Sequence, residues 1–162
     1  MIHRSEVQLE TLLDTNDPND YPNLAAEFTA ISLGHMDRIK KELDMKRKPG
    51  TIRRPQGEYS GKYWNEIKNF CIKIIETDGK LEMRFQGRES GAFELAHYEN
   101  DTFTWWMPYD EIARRGRYIG DYAALYYLIK FSSSAGGGID TLGWAWNLNL
   151  PDEIATFSAE GK

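Results

Sequence analysis

Three histidines, one cysteine and no serine with a lysine three residues on set tight limits on the chemistry this chain can perform. His97 is the best placed general acid or base, because imidazole titrates near neutrality and here stands between aromatic and charged strand residues. His3 lies at the terminus and His35 in an expected helix, so neither makes a metal set with it. No second ligand stands at useful spacing, and neither a metal nor a cofactor is expected. Arg84, if it points inward, could orient a carbonyl or carboxylate by charge-assisted hydrogen bonding. Tyr63 offers a phenol that could polarise a carbonyl. These three, His97, Arg84 and Tyr63, are the candidate catalytic groups. Cys71 lies in an apolar run and reads as a buried, unreactive thiol.

Aromatic residues carry the larger signal. They make up 13% of the 162 residues, and all five tryptophans fall between Tyr59 and Trp146. Buried indoles and phenols each want a polar partner, so a compact core has trouble absorbing them all. Tyr59, Trp64, Phe85, Trp105, Tyr126, Trp144 and Trp146 are therefore the candidate lining of a pocket for a flat or hydrophobic small molecule.

The elements that must position these side chains follow from periodicity. Residues 70–76 and 81–85 alternate around Asp78-Gly79, the strongest short-range hairpin signal. Strands are expected near 58–64, 69–77, 80–86, 91–98, 102–107, 123–131 and 139–147, with a helical turn over 108–118 and a glycine-rich hairpin loop over 132–138. Several strands are apolar on both faces, which fits a closed ring covered on one side better than a sandwich. The expectation is a mainly β protein, an antiparallel up-and-down barrel of about eight strands with an N-terminal helical segment packed on it. Alternation does not say which strand face is inside.

Residues 1–50 form a helical appendage in this reading, 51–150 the barrel and 151–162 a tail of little pattern. Val7, Leu9, Leu12 and Leu13 mark a short helix. Leu24 to about Lys46 marks a longer amphipathic one, with Pro22 in its first turn and Pro49-Gly50 as its stop. The stripe on that helix leaves a homodimer open.

A net charge of −5 argues against nucleic acid, which needs a concentrated basic face. No window reaches bilayer-spanning length, and no signal-peptide pattern opens the chain. A membrane partner is not expected, and the single cysteine points to a cytoplasmic location.

Tyr59-Ser-Gly-Lys-Tyr63, Asp78-Gly-Lys-Leu81, Phe85-Gln-Gly87, His97-Tyr98, Asp101-Thr-Phe103, Trp105, Met107 and Arg115-Gly-Arg117 recur in order. Together they resemble the lipocalin-like C-terminal domain of beta-lactamase-like serine hydrolases, especially the fungal branch, over roughly residues 55–147. The departure is the absence of the catalytic half. Tyr-x-Asn occurs at Tyr21, Tyr63 and Tyr98, but with no serine–lysine nucleophile the serine beta-lactamase mechanism is excluded. The resemblance implies a lipocalin-like barrel standing without its hydrolase. Two functions compete. One is a barrel that binds a small hydrophobic metabolite and acts as a cofactor-independent cyclase, isomerase or dehydratase of secondary metabolism. The other is a non-catalytic carrier, or an accessory domain partnering such a hydrolase.

Overall fold

The computed structural model describes residues 19–116, 122–134 and 137–161. The helix read over Val7–Leu13 lies outside them, as do Arg117, Tyr118, Ala135 and Gly136.

Helix α1 (Tyr21–Lys46) begins three residues earlier than its apolar stripe indicates. Asp20 caps it, its side chain accepting from the Asn23 N–H at 3.0 Å, and Pro22 fits the first turn, where no intrahelical N–H bond is needed. Only its second half packs: His35, Met36, Ile39 and Leu43 are buried, while Leu24, Phe28 and Ile31 remain exposed.

Eight antiparallel strands then close in sequence order: β1 (Gly61–Trp64), β2 (Cys71–Thr77), β3 (Lys80–Phe85), β4 (Ala92–Glu99), β5 (Thr102–Thr104), β6 (Leu128–Ser132), β7 (Thr141–Trp144) and β8 (Ala155–Ala159). The Asp78-Gly79 hairpin joins β2 to β3 with both turn residues at positive φ, 51° and 73°, which aspartate tolerates and glycine favours. A short helix α2 (Tyr109–Arg114) follows β5, its Glu111 paired with Arg114 and Arg115.

Two expectations give way. Residues 151–162, read as a tail, contain β8, which pairs with β7 on one side and with β1 at Tyr63↔Ala159 and Trp64↔Ser158 on the other. Its short Ala-Thr-Phe-Ser-Ala alternation has only Phe157 as a large apolar residue, too little for a periodicity signal. Residues 124–127, expected to begin a strand, form a 3-10 turn instead, and β6 starts at Leu128.

The structure assigns the faces that alternation left open. Leu81 and Met83 point into the barrel, and Glu82 and Arg84 point out. Ile72, Ile74, Phe103, Ile129, Phe131 and Leu142 complete a filled interior. The second half of α1 runs along the outside. There Trp106 Nε1 donates to the Met36 carbonyl at 3.0 Å, Tyr98 OH donates to the Leu43 carbonyl at 2.7 Å, and Arg47 Nε donates to the Tyr98 carbonyl at 2.8 Å.

Phe157 is 2% exposed and is the main apolar anchor of the closing strand. Phe157→Ala is expected to cost about 3–5 kcal/mol, whereas Ile52→Ala at a position 88% exposed should stay within about 0.5 kcal/mol. Urea denaturation of both variants checks this.

Candidate functional site

Up-and-down order places the two ends of the barrel in different chemical hands. One end receives Tyr59, the β4–β5 turn and the β6–β7 loop, and is bolted shut. Tyr59 OH donates to Asp101 Oδ1 at 2.6 Å and accepts from the Arg54 N–H at 2.8 Å. The Arg54 guanidinium lies 3.4 Å from Asp101 Oδ2 and donates to the Gly137 carbonyl at 2.6 Å and to Ser133 Oγ at 3.1 Å. Just inside, Tyr63 OH donates to the Tyr59 carbonyl at 2.8 Å. Tyr59, Phe103, Phe131 and Tyr63 then pack edge to face, with centroids 4.9–5.7 Å apart.

The opposite end is open. A cavity of about 1050 Å³ lies between the β1–β2 loop, the approach to β6 and the β7–β8 connection. Its aromatic wall comprises Phe70, Tyr122, Tyr126, Trp144, Trp146 and Phe157. Trp144 is 7% exposed and stacks on Phe85 with centroids 5.1 Å apart. Phe85 in turn meets Phe93 and Trp105. Tyr122 and Tyr126 stack in parallel at 3.8 Å. Trp146 stands 51% exposed at the rim.

One backbone oxygen organises this aromatic wall. The Tyr126 carbonyl accepts from Trp105 Nε1 at 3.0 Å and from Trp144 Nε1 at 2.8 Å. Two buried indoles thus share an acceptor that the 3-10 turn directs toward them, meeting the polar requirement of each ring. In the β1–β2 loop Asn65 plays the matching role, its Oδ1 accepting from the N–H groups of Asn69 and Phe70 at 3.1 and 3.0 Å.

Of the aromatic residues singled out in the sequence, Tyr126, Trp144 and Trp146 line this cavity, and Phe85 and Trp105 pack behind them. Tyr59 belongs to the closed end. Trp64 faces outward, donating to Glu160 Oε1 at 3.0 Å beneath the Lys62 ammonium. The three candidate catalytic groups do not meet. Arg84 lies on the outer face, bound to Glu82 at 2.9 Å, because it alternates with the inward Leu81 and Met83. His97 sits at the bulge that ends β4, its Nε2 within 2.9 Å of the Asn100 carbonyl. Tyr63 is wholly buried toward the closed end. None of the three lines the cavity. Sequence reading missed Phe70, Tyr122 and Phe157; the first opens the Phe70–Glu76 alternation and was visible as a strand residue, while Phe157 lay in the presumed tail.

Burial raises the pKa of Tyr59, Tyr63 and Tyr98 above the usual phenol range, and that of Tyr127 to about 12. The Cys71 thiol is likewise raised by burial, so the thiolate that would act as a nucleophile is disfavoured. Among the described residues no three His, Cys, Asp or Glu side chains gather to hold a metal ion, and no helix is long and apolar enough to cross a membrane.

A closed antiparallel barrel, sealed at one end and aromatic at the other, is the class of protein these features define. Residues 45–158 match the family described as Domain of unknown function (DUF3471), and the chain belongs to that family, a domain found at the C-terminus of beta-lactamase-like proteins. The match spans all eight strands except the last residue of β8. Among solved structures, the C-terminal domain of the penicillin-binding protein Rv0907 is similar, at 24% identity and a TM-score of 0.41, over 70% of this chain and 94% of that one. No curated protein sequence matches.

The buried phenols fix a pH dependence. Their folded pKa values lie above the ordinary value of 10.0, so the unfolded chain loses protons first as pH rises. Stability is therefore whole below about pH 10 and falls above it, by up to about 1.4 kcal/mol per pH unit for each such tyrosine. Urea midpoints between pH 8 and 11.5 check this; Tyr63→Phe should be less stable at pH 8 and show a shallower decline.

Proposed function

We propose that the open end of the barrel captures a small, flat, apolar molecule and holds it without turning it over. The observation that carries this reading is the contrast between the ends: the interior is filled and bolted at Tyr59–Asp101–Arg54, while the mouth keeps a cavity of about 1050 Å³ walled by aromatic rings. That volume stands at the upper end of the ~300–1,000 Å³ usual for ligand pockets, whose linings are predominantly apolar with a few polar groups. The cavity's polar residues besides the tyrosines are Asn65, Asn69, Thr156, Ser158 and two glutamates. Proton transfer requires a group within hydrogen-bond reach of the substrate. His97, Arg84 and Tyr63 are held elsewhere, so the groups expected to carry cyclase, isomerase or dehydratase chemistry do not line this cavity.

A second reading is favoured by the family. A domain found at the C-terminus of beta-lactamase-like proteins fits an accessory role beside such a hydrolase. The exposed Leu24, Phe28 and Ile31 on α1 would be available to that contact. Adding the protein to a beta-lactamase-like hydrolase and measuring binding by calorimetry separates the two; heat of association supports the accessory role, and its absence at high concentration removes it.

For the primary reading the probe is neutral N-phenyl-1-naphthylamine, followed by its own fluorescence and by tryptophan quenching. Saturable one-to-one binding is expected. Trp146→Ala should weaken it about two- to tenfold, the worth of one aromatic contact, and leave the melting temperature within about 2 °C because the side chain is half exposed. Linear, unsaturable uptake would remove the reading.

A further inference from the structure

The cavity's charge is as informative as its rings. Two acidic residues, Glu66 from the β1–β2 loop and Glu153 from the β7–β8 connection, are among its lining residues, and among the described residues no lysine or arginine lines it. Several carboxylates elsewhere on the barrel are matched: Glu82 with Arg84, Glu94 with Lys80, Asp101 with Arg54. The side chains of Glu66 and Glu153 make no hydrogen bond or ion pair among the described residues. Lys68, the cation of the same loop, does not line the cavity.

Aromatic faces add to that sign. The quadrupole of an indole or phenol ring presents negative potential at its face, and a cation within about 6 Å of the centroid is attracted to it. Tyr122, Tyr126, Trp144 and Trp146 line one cavity together with two glutamates that have no partner among the described residues. An anionic guest would meet repulsion from both sources, and a neutral one would leave both unused.

We propose, resting on the capture reading above, that the natural guest is an organic cation: a primary, tertiary or quaternary amine carried on a flat apolar body. The apolar body lies against Trp144 and Phe157, and the ammonium sits between the rim rings and the carboxylates of Glu66 and Glu153. The carboxylates are exposed, so the attraction is screened by salt within a Debye length of about 8 Å at physiological ionic strength. This makes it a selectivity device more than a source of affinity.

Three probes on one ring test it: (1-naphthylmethyl)trimethylammonium, 1-naphthalenemethanol and 1-naphthoate, titrated by calorimetry at low and high salt. The cation should bind about five times more tightly than the alcohol at low salt, and the carboxylate more weakly than either. High salt should shrink the preference. In the double variant Glu66→Gln/Glu153→Gln the cation-to-alcohol ratio should fall to about two, the share left to the rings. Equal binding of cation and alcohol by the wild type, or tightest binding of the carboxylate, overturns the cation inference and leaves the apolar site standing. If no probe binds saturably, both readings fall.

Discussion

Ring closure is the constraint on which the rest depends. A sheet that is apolar on one face and exposes a strand at each edge must cover the face and satisfy the edges. Here β8 does both: it takes up the free edges of β1 and β7 and places Phe157 in the interior. Without it β1 would end at an open edge, and the filled core of Ile72, Ile74, Leu81, Met83 and Leu142 would face water along a seam. The closing strand is short and chemically plain, with Phe157 as its one large apolar side chain. Its place in the ring comes from the two ladders beside it.

Closure also separates the two ends, because alternate turns of an up-and-down barrel gather at opposite rims. At one rim the polar trio of Arg54, Asp101 and Tyr59 ties the approach to β1, the β4–β5 turn and the β6–β7 loop together. At the other the shared Tyr126 carbonyl fixes two tryptophans and leaves space above them. Shortness of β5 and β6 matters for this. Residues 124–127 leave the ladder as a 3-10 turn, and the carbonyl freed from strand pairing becomes the acceptor both indoles need.

The helix shows how much a sequence pattern can overstate. Its stripe of Leu24, Phe28, Ile31, Ile39 and Leu43 looks continuous, yet only the last two of these are buried. A strand barrel offers a helix a contact no longer than the strands it crosses, and α1 at 26 residues outruns β4 and β5. The first half is helical on local grounds, the Asp20 cap and Pro22, rather than through packing.

What the sequence determined by itself was local: alternation in β2, β3 and β4, the Asp-Gly hairpin, the long helix, the small turn at Glu111, and the lack of any serine–lysine pair. Each is set by neighbours within a few residues, through side-chain periodicity, φ preference or capping. The excess of aromatic residues pointed to a lined cavity, and Tyr126, Trp144 and Trp146 line one together. The tertiary structure alone decided which face of each strand is inside, and so sent Arg84 and Trp64 outward while burying Tyr63. It also decided which rim stays open, a matter of connections between residues 42 to 83 apart, such as Tyr59 with Asp101 and Arg54 with Gly137. And it made a strand of Ala155–Ala159, because two free edges impose extended pairing on a segment whose own composition asks for nothing.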